Sequence, residues 1–209
     1  MNIYRVLKMS LVILLSVSVA KSIADSAEHL SNNTAKIETK TAIFAGGCFW
    51  CTESDFEQLP GVIEVISGYA NGHTPDPTYH TVSAGGTGFT EAVKVVYNPK
   101  VVDYAKLLDV YWRTIDPTVE NRQFCDVGSQ YRSGIYYEGA SQEQEALASL
   151  AALEQSGRFE KIFTEVKPLT SFYPAEDYHQ DYYKKNPVRY RLYRYGCGRD
   201  RRLEAVWGS

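Results

Sequence analysis

Residues 41–70 read TAIFAGGCFWCTESDFEQLPGVIEVISGYA. TAIFA is a short buried strand that stops at Gly46 and Gly47. From Cys48 the period changes: Phe49, Thr52, Phe56 and Leu59 share one stripe of a helix, and Pro60-Gly61 ends it. VIEVISGYA, rich in β-branched residues, is a second strand. The unit is strand, helix, strand, with two cysteines at the first junction.

Downstream, residues 71–89 (NGHTPDPTYHTVSAGGTGF) form a long Gly- and Pro-rich stretch, expected to be a binding loop or disordered. EAVKVVYN then alternates, with Ala92, Lys94 and Val96 on one face and Val93, Val95 and Tyr97 on the other. Asp103 is placed to cap a helix that turns Leu107, Val110, Tyr111 and Ile115 inward. Residues 116–132 are irregular and lead to a strand, SGIYYE. Ser141 is expected to cap a long helix over 141–157, FTEVKPL is a further strand, and residues 174–187 make a short polar helix closed by proline. No internal repeat or low-complexity tract is present. This order predicts an α+β two-layer sandwich with a ferredoxin-like split β-α-β core. The sheet is mixed and mostly antiparallel, with long irregular loops and a tail from about residue 188. A doubly wound parallel sheet fits poorly, because two strands are joined directly across the long loop.

The N-terminus carries Arg5 and Lys8, a short apolar run over 11–20, and Ser22-Ile23-Ala24 at the spacing of a signal-peptidase site. The run is half of the roughly 20 residues that span a bilayer. Residues 1–24 are therefore read as a cleaved export signal, placing the mature protein in the periplasm or outside the cell. Residues 25–40 are read as a flexible leader and 41–209 as one catalytic domain. Cleavage removes three basic groups (Arg5, Lys8, Lys21) and no acids, taking the formal net charge of −3 to −6. That balance argues against nucleic acid or anionic lipid as a partner, and a monomer is expected. The Arg- and Tyr-rich stretch VRYRLYRYGCGRDRR is read as a solvated strand or tail.

Four cysteines remain: Cys48, Cys51, Cys125 and Cys197. Two static disulfides, in any of three pairings, are the plain reading in an exported chain. A domain of this size does not need them, and a C-x-x-C loop is too small to restrain the unfolded chain much. Cys48 sits at a helix N-terminus, where unpaired amides and the macrodipole are expected to lower its pKa and expose a reactive thiolate. Cys51 lies on the same helical face, close enough for a strained, easily reduced bond. Phe49 and Trp50 supply an apolar platform suited to a methyl thioether. Zinc would need two more ligands at matching spacing, and His73, His80 and His179 offer none, so no metal is expected.

GCFWC, followed in order by FEQLPGV, GYANGHTPDPTYH, TGFTEAVKVVYNP, DVGSQYRSGIYY and EDYHQDY, resembles the A class of peptide methionine sulfoxide reductases across residues 41–187. The resemblance implies reduction of methionine-S-sulfoxide, free or in oxidised proteins, with no bound cofactor. It implies Cys48 as nucleophile and Phe49, Trp50 and Tyr182 at the substrate. It adds Tyr79, Glu91, Asp126 and Tyr131 to the catalytic set. Glu91 would hold a proton for the sulfoxide oxygen, with Tyr79 and Tyr131 donating hydrogen bonds to it. Three positions depart from the family: Cys51 replaces a common glycine, Cys125 an asparagine and Phe89 a histidine. The tail offers only Cys197 where recycling cysteines are often found. Attack by Cys48 leaves a sulfenic acid, which a second thiol closes to a disulfide for an external thioredoxin-like dithiol to reduce. Cys51 and Cys197 are equal candidates for that resolving thiol, with Cys125 third. A general thiol–disulfide oxidoreductase using the C-x-x-C pair is the rival function, and a binding module with static disulfides a second.

Overall fold

The computed structural model describes residues 38–208. The signal and most of the leader read from the sequence lie outside them. Strand β1 (Lys40–Gly46) leads through Cys48 into helix α1 (Phe49–Glu57), and β2 (Val62–Ala70) follows. After α2 (Tyr79–Ser83), β3 (Thr90–Tyr97) pairs antiparallel with both β1 and β2, and so lies between them. Helix α3 (Tyr104–Arg113) connects β3 to β6 (Ser133–Tyr137), which pairs with the other side of β1. Each β-α-β unit is thus split by a strand of the other, as the sequence order predicts.

A small hairpin of β4 (Arg122–Gln123) and β5 (Asp126–Val127) and a 3-10 turn (Ser129–Tyr131) precede β6. Helix α4 (Gly139–Gln155), β7 (Glu165–Pro168) and β8 (Phe172–Pro174) complete a six-stranded sheet in the order β7-β6-β1-β3-β2-β8. Only the β6–β7 pair is parallel. The chain ends in α5 (Tyr182–Lys185), α6 (Pro187–Gly196) and α7 (Arg199–Trp207). Among the described residues no helix is long and apolar enough to cross a membrane.

The period-two pattern of the strands sorts their side chains between two layers. Phe44, Val93 and Val95 join Phe56, Leu107 and Tyr111 in the main core under the helices. Phe44 stacks on Phe56 at 4.9 Å and on Tyr111 at 5.0 Å between ring centroids. Ile43, Ala45 and Ala92 point to the other face, where Leu169 and Phe172 cover them.

Four local expectations change. Residues 71–89 are not all loop: Thr78 and Thr81 close a reciprocal capping box that starts α2. Helix α4 begins at Gly139, two residues ahead of Ser141, because Gln142 reaches back to accept from the Glu138 amide (2.9 Å). Ser141 instead donates to Glu145 inside the helix. The tail is helical. Pro187, read as a stop, takes the first position of α6, where its missing N–H costs nothing. Of the polar helix read over 174–187, Tyr182–Lys185 is helical and Pro187 opens the next helix.

Candidate active site

Cys48 is the N-cap of α1, and the amides of Cys51 and Thr52 bond back to its carbonyl (3.1 and 3.3 Å). Gly47 makes the turn at φ 82°, and a Cβ there would lie 2.5 Å from Gln123 Cβ, so glycine is required on two counts. The first helical amide, that of Phe49, does not serve the sulfur. It donates to Glu91 Oε2 at 3.0 Å, from the start of β3.

Cys48, Phe49, Trp50, Tyr79, Glu91, Asp126 and Tyr131 line one cavity of about 60 Å³. These are seven of the residues expected from the sequence, brought from β3, α1, α2, β5 and the 3-10 turn. Tyr182 is placed differently. It lies behind Trp50, stacked on the indole at 3.7 Å and 6°, and so sets the ring that lines the cavity.

Burial is the strongest influence on the ionisable groups. It pushes the Glu91 carboxyl up to about 8, with the charge of Asp126 acting the same way and the Phe49 amide opposing. A carboxyl in that state holds its proton at neutral pH. The expectation of a lowered, uncovered Cys48 thiol is overturned. Cys48 is only 6 % exposed. Burial, then the hydrogen bond and charge of Cys51, then Glu91, push its pKa well up, and the Tyr193 hydroxyl opposes them. The helix dipole loses because desolvation is larger and the nearest amide is committed to Glu91. Cys51 moves the opposite way. The hydrogen bond from Cys48 lowers its pKa first, and the charges of Arg199 and Arg194 help against burial. The contact between the two sulfurs thus raises Cys48 and lowers Cys51.

Several residues of the site were given no role by the sequence, Glu176 and His179 among them although EDYHQDY contains both. Tyr193, on α6, is the eighth wall of the cavity and donates to Asp126 Oδ2 at 2.6 Å. His179 accepts from Trp50 Nε1 at 3.0 Å and packs on Phe49 and Tyr79. Burial lowers its pKa and keeps the ring neutral, as an acceptor must be. Glu176 accepts from the Tyr79 amide (2.8 Å) and the Tyr69 hydroxyl (2.7 Å), fixing α2 over the cavity. Arg199, buried, donates to the Gly46 and Thr114 carbonyls and pairs with Asp55, which Arg194 also holds. A search for charged groups that the tail had to neutralise would have found these two arginines.

Cys125 and Cys197 form a disulfide across 72 residues, leaving Cys48 and Cys51 free and buried. Cys125, Asp126 and Cys197 are the one cluster of metal-type ligands among the described residues, and two of its sulfurs are in that bond.

A buried dithiol facing a protonated carboxyl and two tyrosines defines a thiol-dependent oxidoreductase acting on a small polar group. A family model described as peptide methionine sulfoxide reductase matches residues 40–209. A protein of Vibrio cholerae named peptide methionine sulfoxide reductase MsrA/MsrB is 52 % identical over 169 residues, 80 % of this chain. The chain spans only 45 % of that longer protein. The MsrA of Listeria innocua is 47 % identical over 173 residues, covering 82 % of this chain and 98 % of its own length. Among solved structures, Mxr1 from Saccharomyces cerevisiae in reduced form superposes with a TM-score of 0.67 and 36 % identity, over 74 % of this chain and 91 % of Mxr1. Mxr1 in complex with Trx2 matches at 0.50 and 28 %, over 72 % and 91 %. The chain belongs to the peptide methionine sulfoxide reductase family, in its A class. The activity of that class is thiol-dependent reduction of methionine-S-sulfoxide to methionine, with a disulfide intermediate and no bound cofactor.

Proposed function

We propose that Cys48 attacks the sulfoxide sulfur while Glu91 gives its proton to the oxygen. The observation that carries this reading is Glu91, buried and held protonated in the same small cavity as Cys48. Cys51, hydrogen-bonded to Cys48 and the sulfur of the pair whose pKa is lowered, is placed to take the Cys48 proton as attack begins. Tyr79 and Tyr131, also raised by burial, stay protonated and donate to the polarised oxygen. Attack joins Cys48 Sγ to the substrate sulfur. The protonated oxygen then passes to Cys48 Sγ as the substrate's S–O bond and the new S–S bond break, and methionine leaves with the electron pair, so that Cys48 is left as a sulfenic acid. Phe49 and Trp50 hold the substrate methyl.

Cys51 is the resolving thiol in this reading. It condenses with the sulfenic acid, releasing water and forming a Cys48–Cys51 disulfide. A thioredoxin-like dithiol then reduces that bond and is itself oxidised. Engagement of Cys197 with Cys125 supports Cys51 over Cys197.

Turnover of purified protein with dithiothreitol and each sulfoxide epimer tests the whole assignment. Consumption of only the S form, lost in Cys48→Ser, is expected; activity retained in that variant ends the mechanism. After one turnover without reductant, mass spectrometry should find Cys48 joined to Cys51, and a Cys48–Cys197 peptide would transfer the resolving role. Residues 1–24, read as an export signal, support an enzyme working in the periplasm or outside the cell. Finding residues 1–24 on the mature, fractionated protein would remove that placement.

A further inference from the structure

The Cys125–Cys197 disulfide takes no part in the chemistry just described, and it borders an open hollow. Cys125 is exposed. Cys197, at the corner between α6 and α7, lines an open hollow of about 560 Å³, within the range of small-molecule sites. Three arginines, Arg122, Arg201 and Arg202, and one carboxylate, Asp116, share its wall. Arg202 neutralises Asp116 at 2.6 Å. Arg122 and Arg201 form no ion pair among the described residues. Arg122 is steadied by the Phe124 carbonyl (2.7 Å), and the Arg201 guanidinium lies against Gly198, beside the disulfide. Two free positive charges on a chain of formal net charge −3 thus flank a reducible sulfur.

Resting on the thiol-dependent reading above, we propose that this hollow binds a small thiol bearing two carboxylates, which reduces the Cys125–Cys197 disulfide. The thiol enters with its carboxylates on Arg122 and Arg201, and its thiolate attacks Cys197 Sγ. A mixed disulfide forms on Cys197, and Cys125, facing water, leaves as a thiolate and takes up a proton. A second molecule of the thiol attacks the sulfur of the first. The bond to Cys197 breaks, Cys197 is protonated, and the two small molecules depart as one disulfide. Two thiols are oxidised and one protein disulfide is reduced. The consequence reaches the active site, because Cys125 adjoins Asp126 and Cys197 lies one turn beyond Tyr193, and these two wall residues are bonded to each other.

Glutathione and its diethyl ester, as probes with and without the two carboxylates on one scaffold, test this by alkylation and mass spectrometry of Cys125 and Cys197. The ratio of their reduction rates should fall by about three- to tenfold in Arg122→Ala/Arg201→Ala, the scale of two exposed ion pairs. A single-turnover trap should carry glutathione on Cys197. An unchanged ratio, glutathione found only on Cys125, or a bond inert to millimolar glutathione would each overturn the proposal. So would reduction by a thioredoxin, at equal thiol, far faster than by glutathione. Dithiothreitol-driven turnover of methionine-S-sulfoxide, measured on the same samples, reports the catalytic reading separately. That turnover is expected to survive the arginine substitutions.

Discussion

A carboxyl keeps its proton at pH 7 when its surroundings penalise charge more than they reward it, and Glu91 is in that position. It has one amide partner, from Phe49, and a neighbouring acid, Asp126, in an otherwise buried site. Replacing it by glutamine keeps the acceptor for Phe49 and removes the transferable proton. Glu91→Gln should lower kcat by about 10²- to 10⁴-fold with the fold intact. In the native enzyme kcat should fall as pH rises through about 8, where Glu91 ionises. A native pH–rate profile flat across that range, or an unchanged rate in the variant, removes Glu91 from its role. Tyr193 opposes burial, Cys51 and Glu91, which raise the Cys48 pKa, and is the smallest of these influences. Its hydroxyl lowers the Cys48 pKa and fixes Asp126. Tyr193→Phe should slow alkylation of Cys48 at neutral pH and cut kcat about five- to thirtyfold, the worth of a hydrogen bond to a charged group. Stopped-flow alkylation checks this, since a purely structural loss would leave the thiol's rate alone.

Among the elements, those with a strong local period were legible in advance. The alternation of Val93, Val95 and Tyr97 against Ala92 and Lys94 places β3 correctly, and Asp103 accepts from the Lys106 amide as a cap should (2.7 Å). The tail was not legible, because α6 and α7 are amphipathic only toward a surface that the rest of the fold creates. Tyr190, Tyr193 and Arg194 face inward on α6 only because Cys51, Asp126 and Asp55 wait beneath them. A lone helix of that length is marginal in water, so composition alone reads as solvated chain. The same blindness explains the Cys48 error: helix-end position is visible in sequence, but depth of burial is not. Arg199 tests how firmly the tail is tied. Removing it strands the Gly46 and Thr114 carbonyls and leaves Asp55 with Arg194 alone. Arg199→Ala should cost about 1–3 kcal/mol in urea unfolding, the scale of a stranded buried acceptor. It should also raise the Cys51 pKa, which thiol titration would register.

For the molecule as a whole, the buried acids Glu91 and Glu53 set how stability depends on pH. Burial raises Glu91 from 4.5 to about 8 and Glu53 from 4.5 to about 7. Between pH 4.5 and those values the unfolded chain has lost protons that the fold keeps. The stability these groups contribute is therefore complete below about pH 4.5 and is lost as pH rises through 7 and 8. The slope approaches about 1.4 kcal/mol per pH unit for each proton. His179 opposes this below 6.5, since its folded pKa is lowered and the unfolded ring takes up a proton first. One histidine does not cancel two carboxyls, and above 6.5 it offers nothing. Glu165 and Glu176 act in the acid range: their pKa values are lowered, so their contribution is present above 4.5 and lost below it. The urea midpoint should therefore peak near pH 5 and decline toward pH 8. That places greatest stability on the acid side of neutral pH. Glu53→Gln combined with Glu91→Gln should flatten the decline and stabilise the protein at pH 8 by a few kcal/mol, at the expense of turnover. A midpoint that rises from pH 5 to pH 8, or a decline unaltered in the double variant, would mean that these carboxyls are already ionised inside the fold.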